Sequence, residues 1–406
     1  MPLPSLSPAD AAGGRPPGAP RRFRGLAVVA VVASLGALVW RSGALRQAHA
    51  TGHAGPYEWH LPQGFPTPKV PADNPMTEAK VALGRQLFYD DRLSHNGTQS
   101  CASCHQPDKA FTDGRGQAIG STGAVHPRGS MSLINVAYMT TLTWANPLIT
   151  SLEAQAMVPL FSQTPIELGN TDQYELLRRL SAVPAYRALF AEAFPGEAEP
   201  VTLKNLTRAL ASFERTLISA DSPYDRYFYG GDESAMSPAA KRGNVLFFSE
   251  KTECNHCHSG FNLVDSTQHA GTKVVNTAFN NTALYNLDGN GAYPAPNRGV
   301  YEVSHDPDDM GRFRAVTLRN VALTAPYFHD GSAHTLGDVL DHYAAGGRHL
   351  VGGKDAGDGA QSPLKSQFVV GFSLSADERA DLLAFFDALT DRSIESHADW
   401  LAPPPL

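Results

Sequence analysis

Cysteine is scarce in this chain: four in 406 residues, at positions 101, 104, 254 and 257. They fall into two C-x-x-C pairs with none to spare, so a framework of structural disulfides is excluded. Charge is sparse as well, at 18% of residues, and the formal net charge is −7. No basic run follows the N-terminus, so the charge pattern gives no reason to expect a nucleic-acid partner. The N-terminal apolar run, Gly25 to Trp40, is shorter than the ~20 residues of a membrane-spanning helix. It follows the basic stretch Arg21-Arg22-Phe23-Arg24 and precedes the small-residue pattern Ala48-His49-Ala50, as in an export signal. The gap between Trp40 and Ala50 is long for the region before a cleavage site. Residues 1–55 are therefore read as a signal peptide or an uncleaved N-terminal anchor, with Arg21-Arg22 a weak pointer to twin-arginine export. Either way the body of the protein is expected in the periplasm, soluble after cleavage or tethered by the N-terminal helix.

Glycine and proline are plentiful, 36 and 30, and imply much irregular backbone. Both cysteine pairs continue into a histidine, as Cys101-Ala102-Ser103-Cys104-His105 and Cys254-Asn255-His256-Cys257-His258. C-x-x-C-H is the pattern of covalent c-type haem attachment. Two thiols one helical turn apart can each add across a porphyrin vinyl group, and the next residue then brings an imidazole under the iron. A zinc site or a redox dithiol also uses C-x-x-C, but the coincidence of a histidine after each pair favours haem. Two haem c groups are expected, on Cys101, Cys104, Cys254 and Cys257, with His105 and His258 as iron ligands. They would supply part of the apolar core.

The order helix, haem motif, closing helix occurs twice. Val81, Leu83, Leu87 and Phe88 predict an amphipathic helix over 77–89, and 237–248 predicts its counterpart; a Gly followed by Leu at +3 and Phe at +4 ends both. Leu206, Leu210, Phe213 and Leu217 mark a closing helix over 202–219. Leu382, Leu383, Phe386 and Leu389 mark another over 375–389. The fold expected is mostly α and loop-rich: two cytochrome c-like haem domains related by duplication, at 56–230 and 231–406, joined near Tyr229-Gly230-Gly231-Asp232. The Asn-, Gly-, Pro- and Asp-rich stretch 260–312 is expected as loop over the second haem.

The chain resembles the bacterial di-haem cytochrome c peroxidases and their MauG-like relatives from Ala79 to Leu389. The specific pieces are the two haem motifs and Gly311-Arg312-Phe313 with Leu318-Arg319-Asn320 through Tyr327-Phe328-His329-Asp330-Gly331. His126-Pro127-Arg128, Thr143-Trp144-Ala145-Asn146-Pro147 and Leu152-Glu153-Ala154-Gln155-Ala156 look most like the MbnH branch. The resemblance implies that the N-terminal haem meets hydrogen peroxide. The removable distal histidine of the peroxidases falls on Ser121, a poor iron ligand, so the first iron is expected open, with His126 the competing ligand. Glu167 matches the distal acid–base glutamate, Gln155 its neighbour, and Glu153 is its rival. Trp144 matches the tryptophan between the haems. The second haem's sixth ligand falls on Tyr343, with His342 competing; the peroxidases carry methionine there, whereas a tyrosine oxygen should lower the potential. Thr324 and Pro326 match carbonyl ligands of an interdomain calcium ion, but its asparagine falls on Gly129.

These matches imply a MauG-like enzyme, in which peroxide raises the di-haem centre to a high-valent state that oxidises a partner protein, with tryptophan the oxidised residue in the MbnH branch. The alternatives are a peroxidase drawing electrons from a small cytochrome or copper protein, and a non-catalytic di-haem electron carrier.

Overall fold

The structure is a computed structural model that describes residues 55–406; the expected export signal lies outside the described residues. The helices are α1 (Glu78–Phe88), α2 (Cys101–Cys104), α3 (Leu152–Phe161), α4 (Gln173–Ser181), α5 (Pro184–Ala193), α6 (Leu203–Glu214), α7 (Pro223–Phe228), α8 (Pro238–Phe247), α9 (Tyr301–Ser304), α10 (Leu336–Ala344) and α11 (Ala376–Ala388). Four short strands form two antiparallel pairs: β1 (Phe279–Asn281) with β2 (Arg312–Arg314), and β3 (His349–Leu350) with β4 (Gly357–Asp358). Asn280 lies opposite Phe313 in the first pair and His349 opposite Asp358 in the second. Helix therefore dominates, and long loops connect it. Among the described residues, no helix is long and apolar enough to cross a membrane.

Local chemistry sets the helix starts. Thr77, Ser151, Asp172, Thr202, Ser237, Thr335 and Ser375 each precede a helix and accept a first-turn N–H on the side-chain oxygen. Each such cap contributes about 1 kcal/mol. The last predicted turn of α6 does not form. The helix stops at Glu214, because Thr216 turns back to bond the Phe213 carbonyl at 2.9 Å, although Leu217 stays buried.

The two matched Gly-x-x-Leu-Phe segments do the same physical job. A Cβ on Gly84 of α1 would lie 1.9 Å from the Ala209 carbonyl oxygen and 2.9 Å from the Phe213 Cβ, both on α6. A Cβ on Gly243 of α8 would lie 1.9 Å from the Asp381 oxygen and 2.9 Å from the Phe385 Cβ, both on α11. Only glycine lets either pair of helices approach so closely. Around the first crossing gather Leu83, Leu87, Phe88, Leu206, Leu210 and Phe213; around the second, Phe247, Leu340, Leu382, Phe385 and Leu389. A third cluster is built from Ala145, Leu284, Tyr293 and Phe313, with Trp144 and Phe328 packed against it.

Two placements differ from a simple linear division of the chain. Tyr224 of α7 packs into the second core, while Ile394 and Trp400, near the C-terminus, pack into the first. Arg85 of α1 holds that tail through the Leu401 carbonyl at 2.8 Å. The stretch 260–312 is irregular apart from β1, α9, a short 3-10 turn at Pro307–Asp309 and the start of β2, as expected, but its residues 299, 302 and 303 line the cavity beside the first motif, not the second. A long-range ion pair, Glu302 to Arg128 at 2.9 Å, ties α9 to that side.

Candidate functional site

A cavity of about 420 Å³ opens beside the first motif and is lined by Cys101, Cys104 and His105. Ser100 starts α2 with a reciprocal cap to Ser103, which fixes the one-turn separation of the two thiols. Burial raises both thiols, Cys104 to about 11, and no disulfide joins them. The His105 ring is buried and kept neutral, and its Nδ1 meets the Phe111 carbonyl at 2.8 Å. An Nδ1–H donated to a carbonyl leaves the Nε2 lone pair for a metal, the arrangement found behind ligating histidines. The second motif repeats it: His258 Nδ1 meets the Leu263 carbonyl at 3.3 Å, burial lowers the ring to about 4, and the Cys254 and Cys257 thiols are raised to about 11. Free thiols, a correctly presented imidazole and a cofactor-sized cavity fit covalent haem.

Glu167, Gln155 and Trp144 all line the same cavity. Glu167 sits on the loop after α3, and burial alone raises its carboxyl to about 7. Its backbone carbonyl accepts from the Ser121 N–H at 2.7 Å. The Ser121 hydroxyl is enclosed near Gly169 without a hydrogen-bond partner. His126 also lines the cavity, with Nε2 3.9 Å from Glu167 Oε1. Glu153, the rival carboxylate, is tied up elsewhere: Arg215 reaches its two oxygens at 2.8 and 2.9 Å, and Asn74 donates to it at 2.7 Å.

Trp144 donates its indole N–H to the Gly129 carbonyl at 2.8 Å, and Gly129 N–H donates to the His329 carbonyl at 3.1 Å. The indole thus touches the cavity on one side and the Tyr293–Phe313–Phe328 cluster on the other. Beyond that cluster stands Tyr343 of α10, 6.2 Å from Phe328 between ring centres. Burial pushes the Tyr343 phenol above its ordinary pKa, and the Cys257 and Cys254 sulfurs and Tyr293 add to the effect, which puts the phenol in the field of the second motif. His342 turns the other way: its Nε2 meets the Thr282 carbonyl at 2.7 Å, and the charges acting on it are Arg348 and Asp330.

Glu214 was not anticipated. This carboxyl of α6 lines the cavity next to Cys101, its Oε2 has no hydrogen-bond partner, and burial raises it to about 8. Its position four residues after Leu210, on the apolar stripe, was the available signal. Thr324 and Pro326 lie on the loop after β2; among the described residues, no group of three or more His, Cys, Asp or Glu is arranged to hold a metal ion.

Residues 78–234 match the family model for di-haem cytochrome c peroxidase. The chain is 37% identical to the methylamine utilization protein MauG of Methylorubrum extorquens over 81% of this chain and 82% of that one. It is 35% identical to the cytochrome-c peroxidase IdrP1 of Denitromonas iodatirespirans over 80% and 85%. Among solved structures it resembles a MauG-like protein associated with microbial copper homeostasis, with a TM-score of 0.83 and 50% identity over 86% of this chain and 99% of that one. The chain belongs to the di-haem cytochrome c peroxidase and MauG family, and is a haem oxidoreductase.

Proposed function

We propose that the protein is a periplasmic MauG-like peroxidase that uses hydrogen peroxide to oxidise a residue of a partner protein. The observation that carries this reading is the contrast between the two motifs. The first faces an open cavity holding Glu167 and Gln155, and the second has the Tyr343 phenol in its field. A passive electron carrier has no use for a buried carboxyl such as Glu167 beside its haem. The two cores, each with a glycine-mediated helix crossing beside one haem motif, are read as duplicated domains.

Haems held by Cys101, Cys104, His105, Cys254, Cys257 and His258 would supply the two electrons that cleavage of the O–O bond needs. Glu167 takes a proton from one peroxide oxygen and returns it to the other, which leaves as water, with Gln155 orienting the substrate. Trp144, clamped by Gly129, would relay electrons between the two haem sites. Tyr343, in the field of the second motif, would ligate the second iron; His342 gives Nε2 to Thr282 and keeps a buried, unpartnered Nδ1 as the competing donor. Thr324 and Pro326 would offer carbonyl oxygens to a calcium ion, a site weakened but not excluded by Gly129, which brings no side-chain oxygen where the ion takes about six to eight. The likeness to a protein associated with copper homeostasis supports a copper-handling partner, and the resemblance to the MbnH branch implies tryptophan as the oxidised residue.

One equivalent of peroxide added to the diferric protein should produce a long-lived near-infrared band without prior reduction. Turnover that appears only after half-reduction would instead assign the chain to the peroxidases that draw electrons from a small cytochrome or copper protein. Tyr343→His should change the spectrum and potential of the second haem and leave those of the first; if neither moves, the ligand is another residue.

A further inference from the structure

The hairpin 118–128 carries His126 and also holds the loop of Glu167. His126 N–H donates to the Ala118 carbonyl at 2.8 Å, and Gly120 N–H to that of Ala124 at 2.9 Å. Ser121 N–H reaches the Glu167 carbonyl, and Gly120 leaves no room for a Cβ, which would lie 1.9 Å from the Ile166 oxygen. His126 and Glu167 therefore ride on one tightly packed unit although 41 positions separate them. Nδ1 lies 3.1 Å from both the N–H and the carbonyl of Arg128, and that carbonyl also accepts from Ala118 N–H. Arg128 N–H can only donate, and the tautomer that accepts its bond carries the ring proton on Nε2. Nε2–H thus faces the cavity, 3.9 Å from Glu167 Oε1. A ring in this state offers no lone pair to iron.

We propose that His126 is a positioning residue for peroxide cleavage, donating Nε2–H to the Glu167 carboxylate, directly after a small side-chain rotation or through one water. The inference rests on Glu167 being the acid–base group. Hydrogen bonds of this kind are often long in the empty site and tighten once substrate is bound. The donor steadies the carboxylate charge while it waits for the peroxide proton, and orients one oxygen toward the substrate. Other ionisable groups around the pair are Arg128 on the same hairpin, Glu302 of α9, which neutralises Arg128, and the Cys101 and Cys104 sulfurs, which feel Glu167. His95 lies beyond Gly169 and pairs with Glu175 at 4.0 Å.

The test uses the full di-haem protein, mixed with one equivalent of peroxide in stopped flow across pH, with ferric EPR of each variant. His126→Ala should slow the reaction about 10- to 100-fold, the scale of one hydrogen bond to a charged group. It should also move the rising limb of the rate–pH profile to higher pH, because an unsupported carboxylate is harder to form. His126→Gln, which keeps a donor, should recover much of the rate. The double variant with Glu167→Gln should be no slower than Glu167→Gln alone, since His126 acts through that carboxyl. A wild-type rate and profile for His126→Ala, with Glu167→Gln slow, overturns the inference but leaves Glu167 in place. Additive losses overturn it as well. So does a change of the first haem from low to high spin in His126→Ala, which makes His126 an iron ligand. A wild-type rate for Glu167→Gln removes the reading on which the inference stands.

Discussion

Glu167→Gln is expected to keep both haems attached and to slow the reaction with peroxide by about 10²-fold or more, the usual contribution of a positioned acid–base group. Glutamine preserves the size and the backbone contact from Ser121 but cannot take or return a proton. The carboxyl must be ionised to accept the first proton. Burial raises its pKa to about 7, so in the unaltered protein the rate should climb as pH rises through that value and flatten above it. In Glu167→Gln that limb should disappear while the pyridine haemochrome spectrum, which counts attached haem, stays the same. Glu153→Gln is the contrasting control. It loosens the grip of Arg215 and Asn74 on that carboxylate, so it should lower stability and leave the peroxide limb where it was. If the limb moves with Glu153 and not with Glu167, the two carboxylates have been assigned the wrong way round.

The parts of this fold that sequence can show are those decided within a turn or two. The haem motifs are local, and each one's thiols and imidazole are presented by the same few residues. The helices 78–88, 203–214, 238–247 and 376–388 carry apolar stripes that need a partner face, with a capping Ser or Thr just before each. The repeated Gly-x-x-Leu-Phe pattern was visible as text. Its meaning, a backbone crossing with no space for a side chain at 84 or 243, emerges only when the partner helix is in place. What stayed hidden is what distant segments decide. Nothing near Glu153 reveals that Arg215 will occupy it, and nothing near Glu302 reveals that Arg128 will pair with it beside the first cavity. The pairing of His126 with Glu167 depends on a hairpin whose register only the folded backbone displays. Charged and polar contacts of this kind have no period, so they leave no pattern to read.

The same distinction underlies the largest stability effect expected outside the site, at Arg319. Its side chain is almost fully enclosed, 2% exposed, and Nη1 reaches both oxygens of an equally enclosed Asp225 at 2.7 and 2.8 Å. Nε donates to the Phe261 carbonyl at 3.0 Å, and the guanidinium lies 4.6 Å from the Phe65 ring centre. One side chain thereby joins α7, the loop after the second haem motif and the N-terminal segment. Arg319→Met removes the charge and leaves Asp225 with only Ser222 for company, at 2.6 Å. Stranding one member of a buried ion pair costs about 3–5 kcal/mol, which should appear as a large drop in the guanidinium unfolding midpoint. Phe261 lies between His258 and the Leu263 carbonyl that orients it, so the second haem's spectrum should broaden or shift while the first haem's holds. Arg319→Lys keeps a charge but not the planar fork, and should fall between the two. Adding Asp225→Leu to Arg319→Met should then recover much of the lost stability, because the cost lies in the unpaired carboxylate more than in the missing attraction. If the double variant is as unstable as the sum of the single ones, the pair is holding Phe261 and Phe65 in place by geometry, and the charge is incidental.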